Sequence, residues 1–379
     1  MISVGYHSPL VPPEWIAAHA LAPRWLRLGG SAAATRTERL ENKLGTVPTF
    51  AKRKWDCPPQ FNPVRRGQCP FAATVAAAAS SGAAGDALLL TTTCDQMRYT
   101  AAALMAEGAE ALFLMHVPAT WQTQTARQLY RDELLRLGRF LERLGGTKPT
   151  EAVLRETMQT YEWARADLLS RRSRLSARRF AEELAAVRSR LGACVTDQPE
   201  PGRSVTALSS SAVLNRGPRT GADTESFGFK SDLIPLALLG GPVTAGDATL
   251  LDAIEAAGGR IVLDASEAGE RTLPAPFNRS LAEVDPLGAL VEGYFGAIVD
   301  VCRRPVDPLY DWLAREIAAR GIRGVIFRRY LSCDLWLAEL HPLRARLSVP
   351  VLDLDAVQDE HGAEGRALGR IEAFLETLR

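Results

Sequence analysis

Three of the six cysteines stand where a thiol could take part in chemistry. Cys94 and Cys333 each follow an apolar run and precede an aspartate and a helical pattern. Cys69 comes directly before Pro70, a residue favoured at the first position of a helix. The free N–H groups and the positive dipole end of a helix N-terminus stabilise a thiolate. Thiolates bind zinc ions and iron–sulfur clusters, so either one could be held by these cysteines.

The spacing of these cysteines does not by itself demand a metal. The sequence has no CxxC pair, and an isolated cysteine is more often a small buried hydrophobe. Ligands of parallel α/β sheets, however, bind at the carboxyl ends of strands, where distant parts of a chain meet. We therefore expect the three thiols to converge on a cluster, and three thiolates would leave one iron of a four-iron cluster open. Zinc and three purely structural cysteines remain the alternatives.

Alternating strand and helix patterns surround the cysteines. Short apolar runs predict buried parallel strands, and the segments between them have helical periodicity. From about residue 120 to 195 the sequence is mostly helical, and 196–232 is rich in Gly, Ser and Pro. We predict an α/β fold with two doubly wound parallel-sheet domains, at 1–195 and 233–379, a helical layer between them and a linker or insertion at 196–232. The predicted strands are 87–93, 111–117, 233–240, 260–265, 324–331 and 350–355.

The composition excludes several classes of protein. The chain has 379 residues and a net charge of +1, which gives no electrostatic argument for binding nucleic acid or an anionic membrane. No stretch approaches the roughly 18 apolar residues needed to span a bilayer. The first residues lack the basic and apolar regions of a signal peptide, so we expect a cytoplasmic protein. In that reducing compartment, six cysteines are more typical of buried, metal-binding or catalytic thiols than of disulfides.

Several segments, taken in order, resemble the smaller, beta-type subunits of the 2-hydroxyacyl-CoA dehydratase and benzoyl-CoA reductase family. The resemblance covers most of the chain. Its cysteine motifs are QCPFA, TTTCDQMR and GVIFRRYLSCD. The other matching segments are SPLVPPEWIAAHALAP, LGGPVTAGDATLLDAIEAAGGRIVLDASEAGER, VPVLDLD and GRALGRIEAFLETL.

The resemblance implies a 4Fe-4S cluster held by Cys69, Cys94 and Cys333. It implies radical chemistry, in which a low-potential electron enters a CoA thioester and a 2-hydroxyacyl-CoA becomes an enoyl-CoA; the reductase branch reduces an aromatic ring instead. A separate iron–sulfur ATPase activator would supply the electron, and this chain has no GxxxxGK[ST] phosphate-binding loop. The implied partners are an acyl-CoA substrate and a larger homologous subunit in a heterodimer, or a second copy in a homodimer.

Other functions remain open at this point. The chain could be a non-catalytic electron-transfer or scaffold subunit of such a complex, or a double-cubane-type reductase of small molecules. It could also be a two-domain binder of small molecules whose cysteines are structural.

A few further residues are candidates for the site. Glu14 matches the acidic position of the opening motif and could act near the cluster or the substrate; its alternative is a first-turn helix carboxylate. Ser8 and His7 could line the same pocket. Cys302 is a possible remnant of further clusters, with a buried thiol as the alternative. Cys57 and Cys194 match nothing in the family, and the Arg pairs at 65–66, 303–304 and 328–329 are expected to be solvated surface.

Overall fold

The computed structural model of the chain describes residues 1–27, 69–189, 233–356 and 363–379. Cys57, Cys194, the first arginine pair and the predicted linker at 196–232 lie outside the described residues. Within these ranges, none of the helices has the length and apolar character needed to cross a membrane.

The first sheet has four parallel strands in the order β2-β1-β3-β4. These are β1 (Ser3–Tyr6), β2 (Ala22–Trp25), β3 (Ala87–Thr91) and β4 (Leu112–Met115). Every residue of β3 is buried, which explains its continuous apolar run. The helices that accompany this sheet are α1 (Pro13–Ala18), α2 (Pro70–Ser80) and α3 (Asp95–Ala106).

Three longer helices follow the first sheet. They are α4 (Gln124–Arg143), α5 (Glu151–Ser170) and α6 (Ala177–Arg188). Each begins after a hydroxyl residue, Thr123, Thr150 or Ser176, whose side chain accepts a hydrogen bond from the N–H three residues on. These N-caps fix where each helix starts.

The second sheet repeats the arrangement of the first, in the order β6-β5-β7-β8. Its strands are β5 (Ile234–Gly240), β6 (Gly259–Ser266), β7 (Gly324–Tyr330) and β8 (Val351–Ala356). Its helices are α7 (Ala248–Ala256), the short α8 (Arg279–Val284) and α9 (Pro286–Val291), α10 (Asp307–Ala319), α11 (Asp334–Arg346) and α12 (Ala363–Thr377). A π-helical turn, Glu292–Gly296, continues α9.

Both sheets therefore have the same doubly wound order, in which the first and third strands of each half are neighbours. Loops at the carboxyl ends of such neighbouring strands form the usual ligand crevice. Cys94 follows the third strand of the first sheet, and Cys333 follows the third strand of the second. The prediction of two parallel-sheet units with helices around them is confirmed.

One buried core joins the two sheets. It contains Leu89 from β3 and Leu239 from β5, together with Leu134 from α4 and Met158 from α5. The helical layer thus packs against both sheets.

Two sequence expectations differ from the structure. Strands β1 and β2 have four residues each and include Gly5, Pro23 and Arg24, and they were not predicted because they lack a long apolar run. The expectation that the later arginine pairs are solvated is wrong for three residues that are at most 6% exposed. Arg328 pairs with Asp247 and Arg329 with Asp353, while Arg303 donates to the carbonyl of Phe295.

Candidate metal centre

Each of the three candidate cysteines is the residue immediately before a helix. Cys69 precedes α2, Cys94 precedes α3 and Cys333 precedes α11, and all three have extended backbone angles. The sulfur of Cys94 accepts a hydrogen bond from the N–H of Met97 at 3.4 Å. A sulfur here takes the place of the oxygen that Ser, Thr, Asp or Asn usually supplies at this position.

Main-chain N–H groups also lower the pKa of the other two thiols, although neither of these sulfurs forms a side-chain cap hydrogen bond. Those of Phe71 and Ala72 act on Cys69, and that of Trp336 acts on Cys333. The start of α2 is also tied to α3, because the N–H of Cys69 donates to the side-chain carbonyl of Gln96 at 3.2 Å. The sequence therefore places a cysteine directly before the first residue of three different helices.

Contacts bring the three cysteines together from distant parts of the chain. All three pack against one cluster of buried residues that includes Phe71, Met97 and Tyr330, the last residue of β7. The charge of Cys69 raises the pKa of Cys94 and of Cys333, and the charge of Cys94 also raises the pKa of Cys333. The end of β7, in the second sheet, therefore packs against α2 and α3, which accompany the first sheet.

Burial controls the protonation of these thiols. It raises the pKa of Cys69, that of Cys94 to about 11 and that of Cys333 to about 12, against the opposite effect of the N–H groups. Without a bound metal, all three are protonated at neutral pH. Metal binding would release these protons, because the thiolate is the ligand.

The donor set fits an iron–sulfur cluster by its chemistry. It offers three partly buried thiols, each facing main-chain N–H groups that can donate to thiolate or sulfide. In the described ranges, no three His, Cys, Asp or Glu side chains are grouped so that they could hold a metal ion. A single ion draws its thiolates to one centre at about 2.3 Å each, whereas the thiolates of a cluster bind different irons.

His7 lies on the same side of the first sheet as the cysteines. Its ring packs edge-on against Phe71, with 5.4 Å between the ring centroids. Burial lowers the pKa of His7 to about 4, so the imidazole is neutral. Its Nε2 atom is buried and has no hydrogen-bond partner among the described residues.

Glu14 lies on the opposite side of that sheet, within the helical layer. Its side chain is fully buried and forms an ion pair with Arg165 of α5 at 2.5 Å. Its other oxygen accepts a hydrogen bond from the hydroxyl of Tyr294 at 2.7 Å. The buried Ser8 hydroxyl accepts from the N–H of Leu10 within its own turn. The structure therefore does not bring Glu14 into the cluster of residues around the three thiols.

One acidic residue that the sequence reasoning missed raises the pKa of all three thiols through its charge. The charge of Glu267 acts on Cys69, Cys94 and Cys333. Glu267 directly follows strand β6, just as Cys94 and Cys333 stand a few residues after their strands. Its place at a strand end was the signal that could have identified it.

Cys302 is not one of the three converging cysteines. Its N–H donates to Asp300 at 3.0 Å, and burial followed by the charge of Asp300 raises the pKa of its thiol well above the usual value. It is partly buried and packs against the main core.

Two cavities among the described residues are lined by side chains other than these cysteines. One, with about 20 Å³ of free space, is lined by residues that include Tyr6, Arg165 and Tyr294, and it has room for about one water molecule. The other, about 250 Å³, lies between α5 and α8 beside Met158 and Phe277.

The family model for 2-hydroxyglutaryl-CoA dehydratase, D-component, matches residues 11–378. A search of curated proteins found no match.

Proposed function

Because the chain belongs to the family of the 2-hydroxyglutaryl-CoA dehydratase D-component, we propose that it is the iron–sulfur subunit of a radical CoA-thioester enzyme. That enzyme is a dehydratase that converts 2-hydroxyacyl-CoA to enoyl-CoA, or a related benzoyl-CoA-type reductase. The observation that carries the proposal is the convergence on one apolar cluster of three cysteines that each stand directly before a helix.

In this proposal Cys69, Cys94 and Cys333 hold a 4Fe-4S cluster. The helix N-termini would stabilise the three thiolates, which are partly buried against the surrounding apolar cluster. The neutral His7 adds no charge beside Cys69. Such a cluster would supply a low-potential electron to a CoA thioester.

The division of the ligands suggests how the chain is organised. Two ligands come from the unit at 1–195 and one from the unit at 233–379, so the site would lie where two domains meet. A separate iron–sulfur ATPase activator would deliver the electron, and a larger homologous subunit or a second copy would complete the enzyme. Glu14 and Ser8 remain proposed contributors to catalysis, although their present contacts are internal.

A second candidate, which the family resemblance also allows, is a non-catalytic electron-relay subunit. In that case the partner's site would bind the acyl-CoA.

The test is the iron and acid-labile sulfide content of protein reconstituted without oxygen. We expect about four irons and four sulfides per chain. Replacing Cys69, Cys94 or Cys333 by Ser should each remove most of this content. Serine is a matched substitute because it is itself a good N-cap, so the helix start is preserved.

Cys302→Ser is the control, since Cys302 does not pack against the apolar cluster that the three candidate cysteines share. It should keep its iron. Unchanged iron content in all three helix-start variants would contradict the proposal. In loaded protein, a change of the EPR spectrum on adding a 2-hydroxyacyl-CoA favours catalysis in this subunit, whereas an unchanged spectrum favours the relay.

A further inference from the structure

Arg188, the last residue of α6, is a buried cation whose hydrogen bonds go to neutral acceptors. It is 7% exposed, and its guanidinium carbon lies 4.3 Å from the ring centroid of Trp25. One terminal nitrogen donates to the carbonyl of Ala268 at 2.7 Å. The other donates to the carbonyl of Gly269 at 3.3 Å and to the hydroxyl of Thr272 at 2.7 Å. Within the described ranges, no carboxylate forms an ion pair with this guanidinium.

Two other buried arginines in this part of the chain do have counter-charges. Arg172 pairs with Glu270 at 2.9 Å, and Arg165 pairs with Glu14 at 2.5 Å. The second oxygen of Glu14 accepts from the hydroxyl of Tyr294, so both of its oxygens are engaged. The single negative charge of Glu14 is therefore matched by Arg165 alone.

The unmatched charge lies beside the smaller of the two cavities. Arg188 lines this cavity, and so do Arg165, Trp25, Tyr6 and Thr272. Its free space of about 20 Å³ takes one particle of the size of a water molecule. The hydroxyl of Tyr6 donates to the main-chain carbonyl of Arg188 at 2.8 Å, which fixes this end of α6 against β1. The cavity thus has two arginines in its wall and one carboxylate to neutralise them.

A lone buried charge is strongly unfavourable unless an opposite charge accompanies it. Burial lowers the pKa of Arg188 to about 10, so the guanidinium is still charged at neutral pH. The buried carboxyl group of Asp264 favours this charge from a distance, but it accepts from the N–H of Ser266 at 3.0 Å and forms no ion pair with Arg188. A water molecule in the cavity could fill the space but could not supply the missing negative charge.

We propose that the cavity beside Arg188 binds one chloride ion, which is the counter-ion of this guanidinium. Chloride is only slightly larger than water and carries one negative charge, whereas sulfate and phosphate are too large for a space of this size. The wall of the cavity joins both units of the chain, since Trp25 and Arg188 come from 1–195 and Thr272 comes from 233–379. The ion therefore stabilises the contact between the two units, and it does so independently of the cysteine site.

The first test is thermal unfolding of the full chain in mixtures of sodium chloride and sodium gluconate at constant ionic strength. Gluconate is too large for the cavity, so replacing it by chloride should raise the melting temperature. Once most sites are filled, each further tenfold increase in chloride should add the same increment, as expected for a ligand that binds only the folded state. Equal melting temperatures at every ratio of the two salts overturn the proposal.

Two variants separate chloride binding from a general effect of salt. Arg188→Gln removes the unmatched charge, so the rise with chloride should be lost. Arg172→Gln is the matched control, because it also removes a buried arginine, while its partner Glu270 keeps Arg320 at 2.8 Å. This control should retain the rise seen in the parent protein. An undiminished rise in Arg188→Gln, or loss of the rise in both variants, overturns the proposal.

Bromide provides a second test that needs no variant. It has the charge of chloride and nearly its size, and its anomalous X-ray scattering identifies it in a crystal. In crystals of the parent protein soaked in sodium bromide, we expect an anomalous peak within hydrogen-bond distance of the Arg188 guanidinium. Peaks at the protein surface only, or a water molecule in the cavity without anomalous signal, overturn the proposal even if Arg188→Gln fails to fold.

Discussion

The buried ion pair between Glu14 and Arg165 makes the sharpest prediction about stability. Glu14 is fully buried, and Arg165 is 8% exposed. In Glu14→Gln, the amide oxygen can still accept from Tyr294, but the amide nitrogen then faces the guanidinium. A buried cation is left without its counter-charge, and breaking a buried pair in this way costs about 3–5 kcal/mol.

This cost converts into a measurable shift of the melting temperature. An unfolding entropy of about 2.1 cal/mol/K per residue, over 379 residues, gives about 0.8 kcal/mol/K. The loss therefore corresponds to a fall of about 4–6 °C, which calorimetry resolves. The double variant with Arg165→Met should lose less than the sum of the two single variants, because neither charge is then left alone.

The control is the Arg131–Asp285 pair, whose side chains are 30% and 39% exposed. Asp285→Asn keeps the helix cap and should cost at most about 1 kcal/mol, as exposed pairs do. The reasoning is refuted if Glu14→Gln melts within 1 °C of the parent protein. If that variant is stable and retains iron but has no dehydratase activity, Glu14 acts on substrate instead.

Two further predictions concern a strand end and a buried histidine. Gly240→Ala should sharply lower the yield of folded protein, because its φ is +136° and the new Cβ would lie 1.8 Å from the carbonyl oxygen of Arg328. Gly369→Ala, on an exposed face of α12 with no atom within 4 Å, should raise stability by up to about 1 kcal/mol in urea unfolding, and equal effects of the two changes would contradict the argument. His7 has a pKa of about 4 in the folded chain and about 6.5 when unfolded, so the unfolded state binds the proton first and stability falls as pH drops from 6.5 to 4. The loss is about 1.4 kcal/mol per pH unit, and His7→Gln should flatten that part of the stability curve; an unchanged pH dependence would show that His7 is not the group responsible.

The strands of the second sheet could be predicted because burial on both faces leaves a clear pattern. Strands β5 and β7 are almost entirely buried and appear as continuous apolar runs. Strands β1 and β2 could not be predicted, because four residues that include glycine, proline and arginine carry no periodic signal. Strand β1 pairs with β3 and β2 pairs with β1, so their strand conformation depends on pairing within the sheet, which is a tertiary effect.

The positions of the three cysteines could also be predicted, since a strand end followed by a helix is visible in the sequence. The buried ion pair between Arg271 and Asp300 could not be predicted, because the two residues are far apart in the sequence. Nothing in the sequence indicates that Asp300, 29 residues further on, takes that cation. Buried arginines were mistaken for surface residues for the same reason: their partners Asp247 and Asp353 are distant in sequence.

The shared core limits how the sequence of the chain can evolve. Residues of both sheets, such as Ala237 and Phe113, pack into the same apolar interior through the helices between them. Neither half buries its share of this apolar core by itself, so each half would expose apolar residues if the two were separated. The two halves look like repeats of one pattern, but they cannot be exchanged as independent modules. A substitution that enlarges a core residue in one half must be matched by a smaller neighbour in the other.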